Sequence, residues 1–188
     1  MPLKKTSSIL VLCSVVLLAS SAHAVDTKPE PTAKTLYSEG VDLTNQQKFS
    51  EAEAKFLQAW ALQKSYDVAA NLGEVYMQLD RPADAAVFLT YALSNYPASG
   101  KTDKRDWIDK RLKEARSKVV ALTLSVNVPG AEVRINGKLA GKAPIEGEVF
   151  AAPGDCTVEV SAPEYLPYAQ KIKAAADGSF AGLERMGG

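Results

Sequence analysis

The spacing of apolar residues changes twice along the chain. An almost unbroken apolar run from Ile9 to Ala19 comes first. Between Lys34 and Val119 apolar residues return at intervals of three and four, the signature of helices with one buried face. From Leu122 the interval becomes two: Leu122, Leu124, Val126 and Val128 alternate with Thr123, Ser125 and Asn127, which predicts a half-buried strand. Asn136-Gly137, set between Arg134-Ile135 and Lys138-Leu139, predicts a tight hairpin, because both turn positions need φ > 0. Cys156, Val158 and Val160 then alternate with Thr157, Glu159 and Ser161, and residues 162–174 add a Pro-marked edge segment and one more short strand. Regularly spaced short strands with Gly and Pro turns predict a small antiparallel sandwich. Cys156 shares a face with Val158 and Val160, so it reads as a small core residue.

The helical half repeats itself. Gly40, Ala52, Phe56 and Ala59 return 33 residues later as Gly73, Ala85, Leu89 and Ala92. Small side chains at those positions let two antiparallel helices approach closely, with Phe56 and Leu89 filling the seam. The pattern resembles the tetratricopeptide repeat (TPR), with a small residue in the first helix, A-x3-F-x2-A in the second, and a closing Pro. The second copy carries the fuller match in Leu72-Gly73, Tyr76, Ala85, Leu89, Ala92 and Pro97. The first has Glu39 where Leu is usual, Leu43 for the aromatic, and Lys64 for the Pro. A third helix, Asp103 to Val119, is expected to complete the stack, with Trp107, Ile108, Leu112, Ala115 and Val119 on one face. Lys104, Arg105, Asp109, Lys110, Lys113, Glu114 and Arg116 occupy the other, as on a capping helix facing water.

Charge and composition remove several functions. Lys4 and Lys5, the apolar run, and small residues at Ala22 and Ala24 form the pattern of a secretory leader cleaved after Ala24. The run is shorter than the roughly 20 residues a membrane span needs. A lipid-attachment role for Cys13 is the alternative, disfavoured by bulky Leu12 before it. Cleavage takes away His23, the only histidine, and leaves Cys156 as the only thiol. No imidazole base then remains for serine or cysteine catalysis, and no Cys/His set for zinc. Neither a catalytic residue, a metal nor a cofactor is expected. The full chain balances 22 Lys and Arg against 22 Asp and Glu, and loss of Lys4 and Lys5 leaves 20 against 22, a formal −2. No basic block suggests nucleic acid. Asp103, Asp106 and Asp109 recur every three residues, and the neighbouring Lys and Arg make a solvated face the favoured reading. Ser99-Gly100-Lys101-Thr102 mimics the end of a phosphate loop. However, Asn95 stands where the leading Gly is required and a helix precedes it, so a helix stop and turn is the expectation.

The β half carries a second resemblance. Pro129, Gly130, Ala131, Val133, Ile135, Asn136 and Gly137, then Gly141 with Pro144, and Pro153 and Gly154 with Val158, are similar to the PEGA domain of bacterial envelope and surface proteins. The likeness covers roughly 120 to 181. The expected architecture is therefore an α+β multidomain chain. It comprises a leader 1–24, a linker 25–33, a TPR-like helical domain 34–119, a PEGA-like all-β antiparallel sandwich 120–181, and a tail 182–188, with no transmembrane segment in the mature chain. The TPR resemblance implies a concave groove made by Tyr37, Val41 and Asn45 of the first copy and Ala70, Asn71, Glu74, Met77 and Gln78 of the second. Asn71 matches an asparagine with which some TPR proteins grip a peptide carboxylate. Tyr37 and Val41 hold the companion positions, so the groove suits an extended or helical protein segment instead. Arg134, Asn136 and Lys138 on the β-hairpin are candidate second contacts. These features describe an exported, non-enzymatic adaptor of the bacterial envelope, periplasmic or at the cell surface, with a protein partner in the groove. The alternative is a structural component whose PEGA domain binds cell wall or outer membrane surface while the helices self-associate.

Overall fold

The computed structural model describes residues 30–145 and 147–174. The expected leader, residues 25–29 of the linker, residues 175–181 of the β segment, and the tail lie outside the described residues. Within them are five helices, α1 (Ala33–Asn45), α2 (Phe49–Leu62), α3 (Tyr66–Gln78), α4 (Pro82–Ser94) and α5 (Thr102–Arg116). They precede β1 (Val120–Leu122), β2 (Glu132–Ile135), β3 (Lys138–Lys142), β4 (Val149–Ala151), β5 (Gly154–Ser161) and β6 (Tyr168–Ala174).

Local chemistry starts and stops the helices. The Thr32 hydroxyl accepts from the Thr35 N–H at 3.1 Å while the Thr35 hydroxyl accepts from the Thr32 N–H at 2.9 Å, a reciprocal cap on α1. Ser65 caps α3 through the Val68 N–H at 3.3 Å, and Pro82 opens α4 where no amide hydrogen is needed. The ends of α1 and α3 are copies of one another. Lys48 N–H donates to the Leu43 carbonyl and Gln47 N–H to Thr44; Arg81 N–H donates to Tyr76 and Asp80 N–H to Met77. This is the Schellman ending, and it needs a left-handed residue. Gln47 (φ 60°) and Asp80 (φ 53°) supply it.

The hairpins close as the repeat predicts. A Cβ placed on Gly40 would stand 2.6 Å from Phe56 Cε1, and one on Gly73 would stand 2.7 Å from Leu89 Cδ2. Only a missing side chain permits those contacts. Ala52, Phe56 and Ala59, and equally Ala85, Leu89 and Ala92, are fully buried. Burying Phe56 and Leu89 contributes roughly 1.5–3 kcal/mol each. Within the stack α1 packs on α2, α2 on α3, α3 on α4, and α4 on α5.

The third helix differs from expectation. It spans Thr102–Arg116, and Val119 is buried just beyond it, where the chain turns into β1. Ile108, Leu112 and Ala115 form its buried face, whereas Trp107 is 38 % exposed. Position 107 stands about 100° round the helix from 108, outside the face set by 108, 112 and 115, so Trp107 is left exposed.

Two antiparallel sheets share one core: β1 with β4, and β3-β2-β5-β6 in that order. The tight turn falls at Asn136 (φ 50°) and Gly137 (φ 79°), and Ile135 pairs with Lys138 across it. Val133, Ile135, Cys156, Val158, Val160 and Ile172 are buried between the sheets, which settles Cys156 as a core residue. The expected strand from Leu122 to Val128 forms a ladder only at Val120–Leu122, because β4 offers three partners, Val149–Ala151. Leu124 is buried and Val126 and Val128 pack against the core without strand pairing.

The two halves meet at a shared junction. Phe150 of β4 is buried among the helical core residues, and the Arg116 guanidinium lies 5.3 Å from its ring centre while pairing with Glu148.

Candidate functional site

The groove residues expected from sequence divide into two joined groups and some outliers. On the α1–α3 seam the Asn71 amide donates to the Tyr37 hydroxyl at 3.1 Å and to the Asp67 carbonyl at 2.9 Å. On the α3–α5 seam Glu74 accepts from Arg111 Nε at 2.6 Å and Nη2 at 2.5 Å, and Gln78 donates to Glu74 at 2.8 Å. Val41 is half-buried against the helical core, and Asn45 is exposed at the end of α1. Ala70 and Met77 are corrections. Ala70 is buried and Met77 is half-buried against the helical core, so neither lines an open groove.

On the polar face of α5, Arg105, Lys110, Lys113 and Arg116 are exposed as a water-facing cap requires, while Lys104 is half-buried and pairs with Asp67. Arg111, also half-buried, pairs with Glu74 and Glu114. For Lys104, burial pulls the pKa down while the Asp67 hydrogen bond and charge push it up, with a net rise. Arg111 rises for the matching reasons, with Glu74 and Glu114 outweighing burial. Both cations are therefore held charged against α3. Lys104, Trp107 and Arg111 follow one flank of α5 at helical spacing. A shallow cleft of about 180 Å³ lies at the end of this face, lined by Lys34, Tyr37, Asp67 and Val68 among others. The long-range pairings of Lys104 with Asp67 and Arg111 with Glu74 carried no signal beyond a charged periodic face, and sequence reasoning missed them.

The hairpin candidates are engaged within the molecule. Asn136 Oδ1 accepts from the Thr157 N–H at 2.8 Å, which ties the turn to β5. Arg134 donates to the Gly137 carbonyl at 3.2 Å and faces Glu132 at 3.6 Å. Lys138 pairs with Asp84 of α4. Asp84 also accepts from Arg81 at 2.8 Å, and Arg81 donates to Glu53 of α2 at 2.8 Å. The chain Glu53–Arg81–Asp84–Lys138 thus runs from the first hairpin through the second to the β half. Burial, then the nearby Arg81 charge, pushes the Lys138 pKa down. Arg81 also lies 4.5 Å from the Tyr76 ring centre. Burial and the Glu53 carboxylate push the Tyr76 hydroxyl up to about 12. Asn136 and Lys138 thus make contacts within the molecule while both remain exposed.

The turn at residues 97–100 follows α4, with Gly100 N–H donating to the Pro97 carbonyl at 2.8 Å, so the phosphate-loop mimic is a helix stop. Among the described residues no group of three or more His, Cys, Asp and Glu side chains is placed to hold a metal ion, and no helix is long and apolar enough to cross a membrane.

Comparison with known proteins adds one match. Residues 119–180 fit the family model of the PEGA domain, which begins where the helices end. No curated protein and no solved structure matches the chain. The β half of this chain, residues 119–180, is a PEGA domain preceded by five packed helices.

Proposed function

We propose that this chain is an exported, non-enzymatic adaptor of the bacterial envelope whose TPR-like helices hold a segment of a protein partner on the face formed by α1, α3 and α5. The observation that supports it is the Asn71–Tyr37 bond, which joins the first helices of both hairpins into one continuous polar face. The Glu74–Arg111 pair extends that face onto α5. β4 of the PEGA domain packs on α4, Lys138 of the hairpin reaches Asp84, and the outer loops are left for a second contact. The alternative is a structural role in which the PEGA domain binds cell wall or outer membrane surface while the helices self-associate. In-cell crosslinking followed by capture of the full chain tests the adaptor reading. One specific protein should be recovered, and Tyr37→Ala with Asn71→Ala should lower its yield by about tenfold. Undiminished capture, or recovery of a symmetric homodimer alone, contradicts it.

A further inference from the structure

Resting on the reading of the chain as exported and of its outer loops as a second contact, we infer that residues 162–167 insert into the surface of an uncharged lipid bilayer. Leu166 is the inserted side chain, and Tyr165 lies beside it at headgroup level. Strand register sets the place of this loop. The turn at Asn136-Gly137 and the start of β5 lie at the end of the sheet nearest the helices, where Lys138 reaches Asp84. At the other end Glu132 pairs with Lys142 on one side and Ser161 on the other, and the loop leaves from Ser161. β5 is eight residues long, so about 23 Å of strand separates the loop from the helical end.

Leu166 is 90 % exposed, the most exposed large apolar side chain among the described residues, and Tyr165 is 51 % exposed. The Tyr165 N–H donates to the Ala162 carbonyl at 3.3 Å, and Glu164 takes the left-handed conformation (φ 68°) that glycine usually supplies after the proline of such a turn. The backbone of this turn suits an apolar medium, where an N–H without a partner is costly. Pro163 and Pro167 have no N–H and that of Tyr165 is bonded, so within 163–167 only Glu164 and Leu166 bring one without a partner among the described residues. Charge selects the lipid. Glu164 is the only ionised side chain in 162–167, and Lys142 at the same end faces Glu132 at 3.8 Å. A carboxylate at the tip, with the nearby cation already facing an acid, favours a neutral headgroup over an anionic one. A lone protruding leucine needs a matching pocket on a protein, and a fluid layer supplies its own.

The test sediments the chain from Val25 onward, the form that leader cleavage leaves, with vesicles of phosphatidylcholine. All five helices and both sheets lie within this form. One leucine and one tyrosine bury fewer carbons than a myristoyl chain, so half-binding is expected at lipid concentrations on the order of 1–10 mM. Leu166→Ala should weaken binding about tenfold. Leu62→Ala, at a leucine 60 % exposed on α2, should leave it unchanged. Both sites are exposed, so both variants keep the fold, which circular dichroism checks. Leu166→Trp should add a blue-shifted emission that brominated lipid quenches, and replacing part of the lipid with phosphatidylglycerol should not raise binding. Three results overturn the inference: no binding, equal losses from Leu166→Ala and Leu62→Ala, or binding that needs phosphatidylglycerol and vanishes with salt. Sedimentation with purified peptidoglycan that depends on Leu166, without binding to vesicles, also overturns it and leaves the second contact standing. The adaptor reading is tested apart from it, because in-cell capture through Tyr37 and Asn71 should survive Leu166→Ala.

Discussion

The two helical hairpins follow one plan and arrive at different burial. Each places a glycine against a large side chain, Gly40 on Phe56 and Gly73 on Leu89, and each ends its first helix with the same left-handed turn. Yet α1 buries only Leu36 and Gly40, while α3 buries every residue from Val68 to Tyr76 except Asn71 and Glu74. The cause is position. The second hairpin has α2 on one side and α5 on the other, with Phe150 of the PEGA domain set into the core beyond. The repeat therefore determines which residues meet inside a hairpin, and the neighbours determine how firmly that hairpin is held.

The largest expected effect strips the second hairpin of a neighbour. Phe150→Ala should destabilise the chain by about 3 kcal/mol in denaturant unfolding. Hydrogen exchange should show the lost protection in α4 and α5, with α1 little changed; equal loss in both hairpins would erase the distinction. Next come the glycines. A Cβ on Gly73 meets Leu89 up to its branch point, which has little room to move, whereas one on Gly40 meets the edge of a ring that can tilt. Alanine also gains about 1 kcal/mol of helix propensity over glycine. Gly73→Ala should still cost about 2 kcal/mol and Gly40→Ala less than about 1 kcal/mol. Equal costs would mean the hairpins are equally yielding.

The smallest effect concerns Tyr76, which has Leu43 at its place in the first hairpin. The folded chain holds the Tyr76 proton up to about 12, against 10.0 when unperturbed. A raised pKa contributes stability that is intact below pH 10 and lost as pH rises toward 12. The stability difference between the parent chain and Tyr76→Phe should therefore shrink over that window; a constant difference would place Tyr76 in solvent.

What the sequence could reveal followed the range of the interaction. The meeting of Gly40 with Phe56 and Gly73 with Leu89 was legible because close approach permits few residue types. The hairpin at Asn136-Gly137 was legible because its backbone demands them. The endings of α1 and α3 were not, since Gln47 and Asp80 stand where glycine is usual. Alternation from Leu122 to Val128 reported burial correctly and pairing wrongly, because a ladder depends on the length of a distant partner, β4. The same limit hid the site. Tyr37 and Asn71 came together as the repeat register implied, but Lys104 pairs with Asp67 and Arg111 with Glu74, each across 37 residues, and Lys138 reaches Asp84 across 54. Charge pairs at such separations leave no periodic trace.

A double-mutant cycle on Gly73 and Leu89 bears most directly on the nested hairpins from which the face is built. If the missing Cβ exists to admit Leu89, Gly73→Ala should lose most of its cost in a Leu89→Ala background, with a coupling of about 1.5 kcal/mol or more. Strictly additive changes would mean that Gly73 and Leu89 do not meet, and the account would fail.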